Sequence, residues 1–160
     1  MPASITTDFV WAEIERRRFA VLSYVTPTAE ARSAGVVYIA RDRKLYTRAG
    51  SDSWKARHIR LNPQVALVVT IPKRIPFLPW VRIPAATIAL HGTARVIGAR
   101  DADPGVMRAL ASSVPDHSEL KARTSIIEIE PTGHFLTYGV GVPLLVMRDP
   151  SRARYRVPVD

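Results

Sequence analysis

Residues 47–63 constrain the fold of this chain most, because they join a short strand to a helix through a turn of small residues. The strand covers residues 44–48, and the turn follows at Ala49-Gly50-Ser51. A helix that begins near Asp52 would point its free backbone N–H groups at whatever lies over the turn. This local order therefore predicts an anion-binding turn, with a phosphate as the natural ligand.

Three side chains of this segment are suited to bind a phosphate: Thr47, Ser53 and Lys55. The alternative is an ordinary surface helix that Ser51 or Asp52 caps, because such caps are common. In that case the solvated face of the helix carries the basic residues Lys55, Arg57 and Arg60. The Asp52 carboxylate would also compete with a phosphate for the backbone N–H groups. The local sequence leaves both interpretations open.

The chain has 160 residues, which is the usual size of one domain with a substantial core. We therefore expect a single domain over residues 1–160, with a core over about 8–131 and a C-terminal strand and extended tail over 132–160. The absence of cysteine excludes disulfides, thiolate metal ligands and a cysteine nucleophile. No metal site is predicted, because metal-ligand spacing is missing among the four histidines: His58, His91, His117 and His134.

The charge balance favours anionic partners, because 23 Lys and Arg residues against 14 Asp and Glu residues leave a net charge of +9. The excess is uneven, since residues 71–100 contain five basic residues and no acidic one. The N-terminus lacks a basic region followed by an apolar run, and no segment is long enough to span a bilayer. We therefore expect a cytoplasmic protein.

Hydrophobic periodicity predicts a mainly β chain with a few helices. His91-Gly92 interrupts one long strand and predicts a kink or bulge there. The predicted helices cover residues 7–17, 52–61 and 103–111, and the predicted strands cover 19–26, 32–40, 44–48, 65–71, 85–97, 124–130 and 135–140. The residues from 141 onward are expected to be extended, and the sequence assigns them no role.

Residues 72–84 contain four prolines and therefore form neither a helix nor a central strand. We expect a stiff loop over a groove, in which Phe77 and Trp80 shield a ring or a substrate from water. The alternative is a shallow contact of residues 73–82 with an anionic membrane, through aromatic and basic side chains.

Five short motifs occur in a characteristic order: 33–38 (SAGVVY), 45–47 (LYT), 53–55 (SWK), 59–63 (IRLNP) and 90–95 (LHGTAR). Together with the order of helices and strands, they resemble the FMN-binding split-barrel family. That family includes pyridoxamine 5′-phosphate oxidase and the flavin/deazaflavin oxidoreductases. The resemblance covers roughly residues 8–131.

The resemblance implies a six-stranded antiparallel split β-barrel of the FMN-binding type, paired as a homodimer with cofactors in two grooves at the subunit interface. Thr47, Ser53 and Lys55 match the positions that hold the cofactor phosphate, and Arg57 is a weaker candidate for the same anion. The strand that runs beside the ring system matches Arg32, Ser33, Ala34, Gly35 and Val36.

The chain departs from the family at Trp54, where related proteins often have arginine. The helical spacing of Trp54, His58 and Leu61 predicts that Trp54 faces the core. The proline-rich segment also looks longer than the usual strand connection, and the residues beyond Pro131 match nothing in pyridoxamine 5′-phosphate oxidase itself. Oxidation of vitamin B6 is therefore not the expected activity.

The resemblance implies hydride transfer by a bound cofactor to or from a small molecule, which needs no protein nucleophile. Glu128 and Glu130 share one strand face, which we expect to be exposed. Tyr38 and Tyr46 are interpreted as packing residues, with a place in the ring groove as the alternative. FMN is favoured over the deazaflavin coenzyme F-420, although the acidic tail of F-420 would suit a basic groove.

Two other classes of function remain as alternatives. One is a non-catalytic cofactor- or anion-binding protein that acts as a dimer. The other is nucleic-acid binding, which we do not expect, because aromatic residues interleaved with Lys and Arg occur only in the proline-rich loop.

Overall fold

The computed structural model describes residues 5–112 and 123–160, so His117 lies outside the described residues. Within these ranges the chain forms seven strands: β1 (Phe19–Val25), β2 (Ala31–Arg41), β3 (Lys44–Gly50), β4 (Gln64–Ile71), β5 (Ala86–Gly98), β6 (Thr124–Tyr138) and β7 (Arg154–Pro158). Its α-helices are α1 (Thr7–Glu15), α2 (Trp54–Leu61), α3 (Pro104–Ala111) and α4 (Pro150–Ala153), and a 3-10 helix covers Val146–Arg148. No helix in these ranges is long and apolar enough to cross a membrane.

Six strands close into an antiparallel barrel. They lie in the order β3-β2-β1-β4-β5-β6, and β6 pairs with β3 to complete the circle. The period-two pattern of apolar residues produces this arrangement, as β4 shows by burying Val65, Leu67, Val69 and Ile71 on one face. The predicted six-stranded antiparallel barrel is confirmed.

Strand β6 is longer than the sequence indicated. It runs without interruption through the segment that separated the two predicted strands at 124–130 and 135–140. Its first half pairs with β3 and closes the barrel, whereas its second half extends further and pairs with β7. Pro131 lies opposite Gly92 of β5, and the Gly133 carbonyl accepts a hydrogen bond from the Val159 N–H at 3.0 Å. These contacts keep both residues within β6, although both disfavour a strand locally.

The C-terminal residues fold back onto the barrel instead of forming an extended tail. β7 pairs with residues 134–138 of β6, and Val157 and Val159 are buried in the main core. The Trp11 indole N–H donates a hydrogen bond to the Val159 carbonyl at 3.4 Å. The chain end thus packs against α1 through contacts that a local reading of the sequence does not reveal.

The predicted irregularity near His91-Gly92 is confirmed. The register between β5 and β6 shifts between Ala89 and His91, which is a β-bulge. Beside it, a side chain at Gly92 would collide with the backbone, because a Cβ atom there would lie 2.8 Å from the Glu130 carbonyl carbon and 2.9 Å from Pro131 Cα. This position therefore requires glycine for a close approach of two strands.

Thr6 caps the start of helix α1, because its hydroxyl accepts a hydrogen bond from the Phe9 N–H. It buries Val10, Trp11 and Ile14 against the barrel. The fully buried Tyr38 donates its phenolic O–H to the Ile14 carbonyl at 2.7 Å, and burial raises the pKa of Tyr38 well above its usual value. Tyr38 is thus a packing residue, as interpreted from the sequence.

Glu128 differs from the expected exposed residue, because only 13% of its side chain is exposed, against 63% for Glu130. Its carboxylate lies 2.9 Å from Arg95 and 3.4 Å from Lys44. Burial alone would lower the pKa of Lys44, but the two glutamates raise it above its usual value. The pair of acids is therefore a structural ion-pair network that joins β3, β5 and β6.

Candidate functional site

Helix α2 begins at Trp54, two residues later than the sequence suggested. Its N-cap is Ser53, whose hydroxyl accepts a hydrogen bond from the Ala56 N–H at 3.2 Å. The hydroxyl of Ser51 instead pairs with that of Ser125 on β6 at 2.9 Å, and Asp52 is exposed. Ser53, and not Ser51 or Asp52, therefore caps the helix, so the ordinary capped start of that alternative is present at a different residue. The N–H end of α2 lies directly beside Ser53.

A pocket of about 170 Å³ lies beside this helix start. It is formed where β2 and β3 meet α2 and α3, and it is lined by Gly35, Val36, Val37, Thr47, Arg48, Lys55 and Leu110. Four of the predicted cofactor-binding residues therefore come together: Gly35, Val36, Thr47 and Lys55. Gly35 and Val36 come from β2, Thr47 from β3 and Lys55 from α2. The pairing of β2 with β3, which sets Tyr38 opposite Thr47, brings the two strands together here.

Lys55 is the most informative side chain of this pocket. It is half-buried, and burial lowers the pKa of its ammonium group below the usual value. Among residues 5–112 and 123–160 no carboxylate lies within 4.0 Å of it, so nothing there compensates its charge. A partly desolvated cation without a partner is costly, and a bound anion would offset that cost.

The two hydroxyl groups predicted to bind phosphate differ in whether a proton is still free to donate a hydrogen bond. Thr47 is buried and donates its proton to the Val37 carbonyl at 2.8 Å, which ties β3 to β2 at the pocket wall. The Ser53 oxygen accepts a backbone hydrogen bond, so its proton remains free to donate. Ser53 thus keeps a free hydroxyl proton at the helix start but is not among the residues that line the pocket, and phosphate binding by both residues stays a prediction.

Gly35 makes one wall of the pocket flat. A Cβ atom at this position would lie 3.0 Å from the ring of Phe19 on β1. The neighbouring apolar side chains are incompletely covered, since Phe19 is 50% exposed and Val37 is 41% exposed. A flat apolar wall next to a cation suits a ligand that combines a planar ring with an anionic group.

The remaining predicted residues of β2 lie elsewhere. Arg32 forms an ion pair with Glu30 at 2.7 Å and lines a second groove with Tyr24, Trp54 and His58. The hydroxyl of Ser33 pairs with that of Ser23 on β1 at 2.9 Å. Ala34 is half-buried and is not among the residues that line the pocket.

Arg57 lies with Trp54 rather than at the pocket. Its guanidinium carbon is 5.5 Å from the centre of the Trp54 ring, a cation–π contact. Trp54 is 71% exposed, so the prediction that it faces the core is wrong. The buried face of α2 consists of Ala56 and Ile59, which places Trp54 and His58 on a different side of the helix.

Phe77 and Trp80 do not line this pocket in the described chain. Phe77 is 94% exposed and Trp80 is 73% exposed. Their loop follows the end of β4, whereas α2 precedes its start, and eight strand residues separate the two by roughly 26 Å. Within the described residues the loop does not cover this pocket, and its role as a lid stays a prediction.

Sequence reasoning missed three residues of the pocket: Val37, Arg48 and Leu110. Val37 and Arg48 directly follow predicted site residues on the predicted strands, so extending the site by one position on each strand would have found them. Leu110 comes from α3, which packs over Ile39 and Ile126 in a small cluster of its own. Nothing in the local sequence places that helix beside the pocket.

Comparison with known proteins identifies the fold. The family model described as pyridoxamine 5′-phosphate oxidase matches residues 6–138. Among solved structures, an F420 reductase is 20% identical, with a TM-score of 0.55 over 78% of this chain and 93% of its own. A candidate pyridoxamine 5′-phosphate oxidase from Listeria innocua is 18% identical, with a TM-score of 0.57 over 78% of this chain and 92% of its own.

The fold also occurs in a heme storage protein from Vibrio cholerae, which is 10% identical with a TM-score of 0.60 over 84% of this chain and 96% of its own. Identities this low show a shared fold and leave the cofactor open. The comparison with functionally curated proteins gave no match. Because the family model covers most of the sequence and the barrel has the expected closure, the chain belongs to the pyridoxamine 5′-phosphate oxidase family of split β-barrels.

Proposed function

We propose that this chain is an oxidoreductase that resembles pyridoxamine 5′-phosphate oxidase. In this proposal the chain binds FMN and transfers hydride to or from a small molecule. The observation that carries the proposal is the half-buried Lys55 ammonium, which has no anionic partner and lies beside the N–H end of α2. Both features favour a phosphate at this position.

The residues of the pocket fit the parts of FMN. Lys55, Ser53 and the first N–H groups of α2 would hold the phosphate, and the wall at Gly35 and Val37 would contact the ring. FMN, when bound, supplies the hydride chemistry, and the protein binds and orients it. Within the described chain the pocket is too small for the whole cofactor, so the site needs a second wall.

We therefore predict a homodimer whose partner completes each groove. Val37 lines the pocket and Phe19 lies opposite it on β1. Both apolar side chains are exposed, and a partner would cover them. Light scattering of the protein with FMN at micromolar concentration should give twice the mass of the chain. A monomer that still binds FMN tightly would contradict the composite site.

The deazaflavin coenzyme F-420 is the second candidate, because further cations surround the start and outer face of α2. Arg48, Arg57 and Arg60 form no ion pair with a described residue, so they could bind an acidic tail. One contact already occupies Arg60, which donates to the Ser51 carbonyl at 3.1 Å. FMN remains the first choice, since the pocket itself offers a single phosphate position.

Titration of the purified protein with FMN and with F-420, followed by visible absorption and fluorescence, tests the proposal. Saturable binding of either cofactor supports the site, and the tighter one identifies the class. Binding followed by oxidation of the reduced cofactor by a small acceptor would support catalysis. Binding without any turnover would favour a cofactor carrier, and binding of neither would overturn the proposal.

A further inference from the structure

The proline-rich loop and the turn after β6 form an exposed surface that the proposed cofactor site does not use. Residues 75 and 81–84 lie against residues 144–148, where they enclose a pocket of about 350 Å³ lined by Ile75, Val81, Arg82, Ile83, Pro84, Leu144, Leu145, Met147 and Arg148. We refer to residues 73–82 with Leu145 and Arg148 as the loop surface.

The loop surface exposes large apolar side chains to an unusual degree. Phe77 is 94% exposed, and Trp80 and Leu145 are 73% and 74% exposed. Leu78 and Val81 add to this surface at 41% and 42% exposure. Such a cluster on one side of a domain is typical of an interaction site, whereas single exposed apolar residues need no explanation.

The loop holds its aromatic side chains outward. The Leu78 N–H donates to the Ile75 carbonyl at 3.2 Å and the Val81 N–H to the Leu78 carbonyl at 3.1 Å, which makes two consecutive turns. Phe77 has a backbone φ of 74°, a strained value for a bulky residue. Four prolines restrict the remaining freedom, so little entropy is lost when the loop docks.

The two segments that form the loop surface are rich in basic residues, and Arg82 and Arg148 line the pocket between them. Residues 72–84 and 144–153 contain five basic side chains and one carboxylate: Lys73, Arg74, Arg82, Arg148 and Arg152 against Asp149. The Asp149 side chain caps α4 and accepts hydrogen bonds from the N–H and the hydroxyl of Ser151, which lower its pKa. The cations form no ion pair with a described residue.

We propose that the loop surface docks the protein onto an anionic lipid bilayer. Phe77, Trp80 and Leu145 would enter the headgroup region, where aromatic side chains are favoured, and the cations would contact the lipid phosphates. A bilayer fits better than a protein partner, because its negative charge complements all of the basic residues in these two segments and needs no matching shape. The contact is shallow, since backbone groups of a loop cannot be satisfied within the hydrocarbon.

Vesicle sedimentation tests this docking with phosphatidylcholine vesicles and with vesicles that also contain phosphatidylglycerol. The protein should sediment with the phosphatidylglycerol vesicles and much less with phosphatidylcholine alone. Arg74→Gln with Arg82→Gln should weaken binding about 25-fold, from about fivefold per cation near an anionic surface. Phe77→Ala with Trp80→Ala should weaken it by roughly tenfold or more.

The matched control is Arg100→Gln with Arg108→Gln, which removes the same charge. Arg100 follows the end of β5 opposite to the loop, and Arg108 lies on α3. If both charge variants lose the same vesicle affinity, the net charge alone attracts the protein to the membrane. That result would overturn the proposal that the loop surface docks. Absence of sedimentation with the unaltered protein would overturn it as well.

Tryptophan fluorescence provides an independent readout. In a Trp54→Phe background, Trp80 is the exposed tryptophan and Trp11 is buried, so vesicles should shift the emission to shorter wavelength. Titration with FMN in the absence of vesicles distinguishes the two roles of residues 73–82, which are membrane docking and covering the cofactor. Should Phe77→Ala with Trp80→Ala weaken FMN binding while leaving vesicle binding intact, the loop is a lid and the docking proposal fails.

Discussion

Replacing Lys55 by alanine is expected to weaken binding of FMN or F-420 by about ten- to a hundredfold. The estimate follows from the loss of one charge-assisted hydrogen bond, which contributes roughly 1.5–3 kcal/mol. The cofactor-free protein should keep its melting temperature, because the variant removes a half-buried cation without a partner. Fluorescence titration measures the dissociation constant, and calorimetry measures the melting temperature.

The control for this variant is Arg16→Ala, which changes the net charge equally. Arg16 lies on the exposed side of α1 and pairs with Glu13 at 2.8 Å, an interaction that contributes little at the surface. The control should bind the cofactor as the unaltered protein does. If both variants lose the same affinity, the cofactor is attracted by the general field and Lys55 is not its phosphate ligand.

Replacing Gly92 by alanine is expected to destabilise the barrel by about 3 kcal/mol, at the upper end of the usual cost of overpacking. The added methyl group would meet the backbone of Glu130 and Pro131, which cannot rotate away as a flexible side chain could. For a chain of this size the melting temperature should fall by roughly 10 °C. Thermal unfolding followed by circular dichroism measures the change.

Gly98→Ala on the same strand provides the comparison. A Cβ atom there would approach only the Asp101 carboxylate, at 3.3 Å, and that side chain is free to move. Its melting temperature should change little. An unchanged melting temperature for Gly92→Ala would mean that β5 and β6 can separate at the bulge without cost, contrary to the close approach described here.

Much of the barrel could be predicted because its information is local. Alternating apolar residues define the faces of strands such as β4, and Pro104 with Asp103 marks the start of α3. The strand, turn and helix around Ser53 were predicted for the same reason, with an error of two residues at the helix start. Local sequence also identified Lys55 as a candidate ligand from its position beside that turn.

The orientation of side chains on α2 could not be predicted. One side of α2 carries Trp54, His58 and Leu61, as their spacing predicts. The spacing does not say, however, which side of the helix packs against the barrel. Ala56 and Ile59 occupy the core because they fit against the neighbouring strands, and the tryptophan is left outside. The fit of small and large side chains is a property of the packed structure.

The sequence by itself determined strands β1 to β5 and the residues at the basic turn, and the family resemblance implied the closed barrel. Only the tertiary structure decided that residues 154–158 form a seventh strand, that Glu128 joins Lys44 and Arg95, and that Leu110 lies beside Lys55. These features depend on contacts between residues far apart in the chain. The interactions that stabilise them form only when the barrel has closed, so no local sequence pattern predicts them.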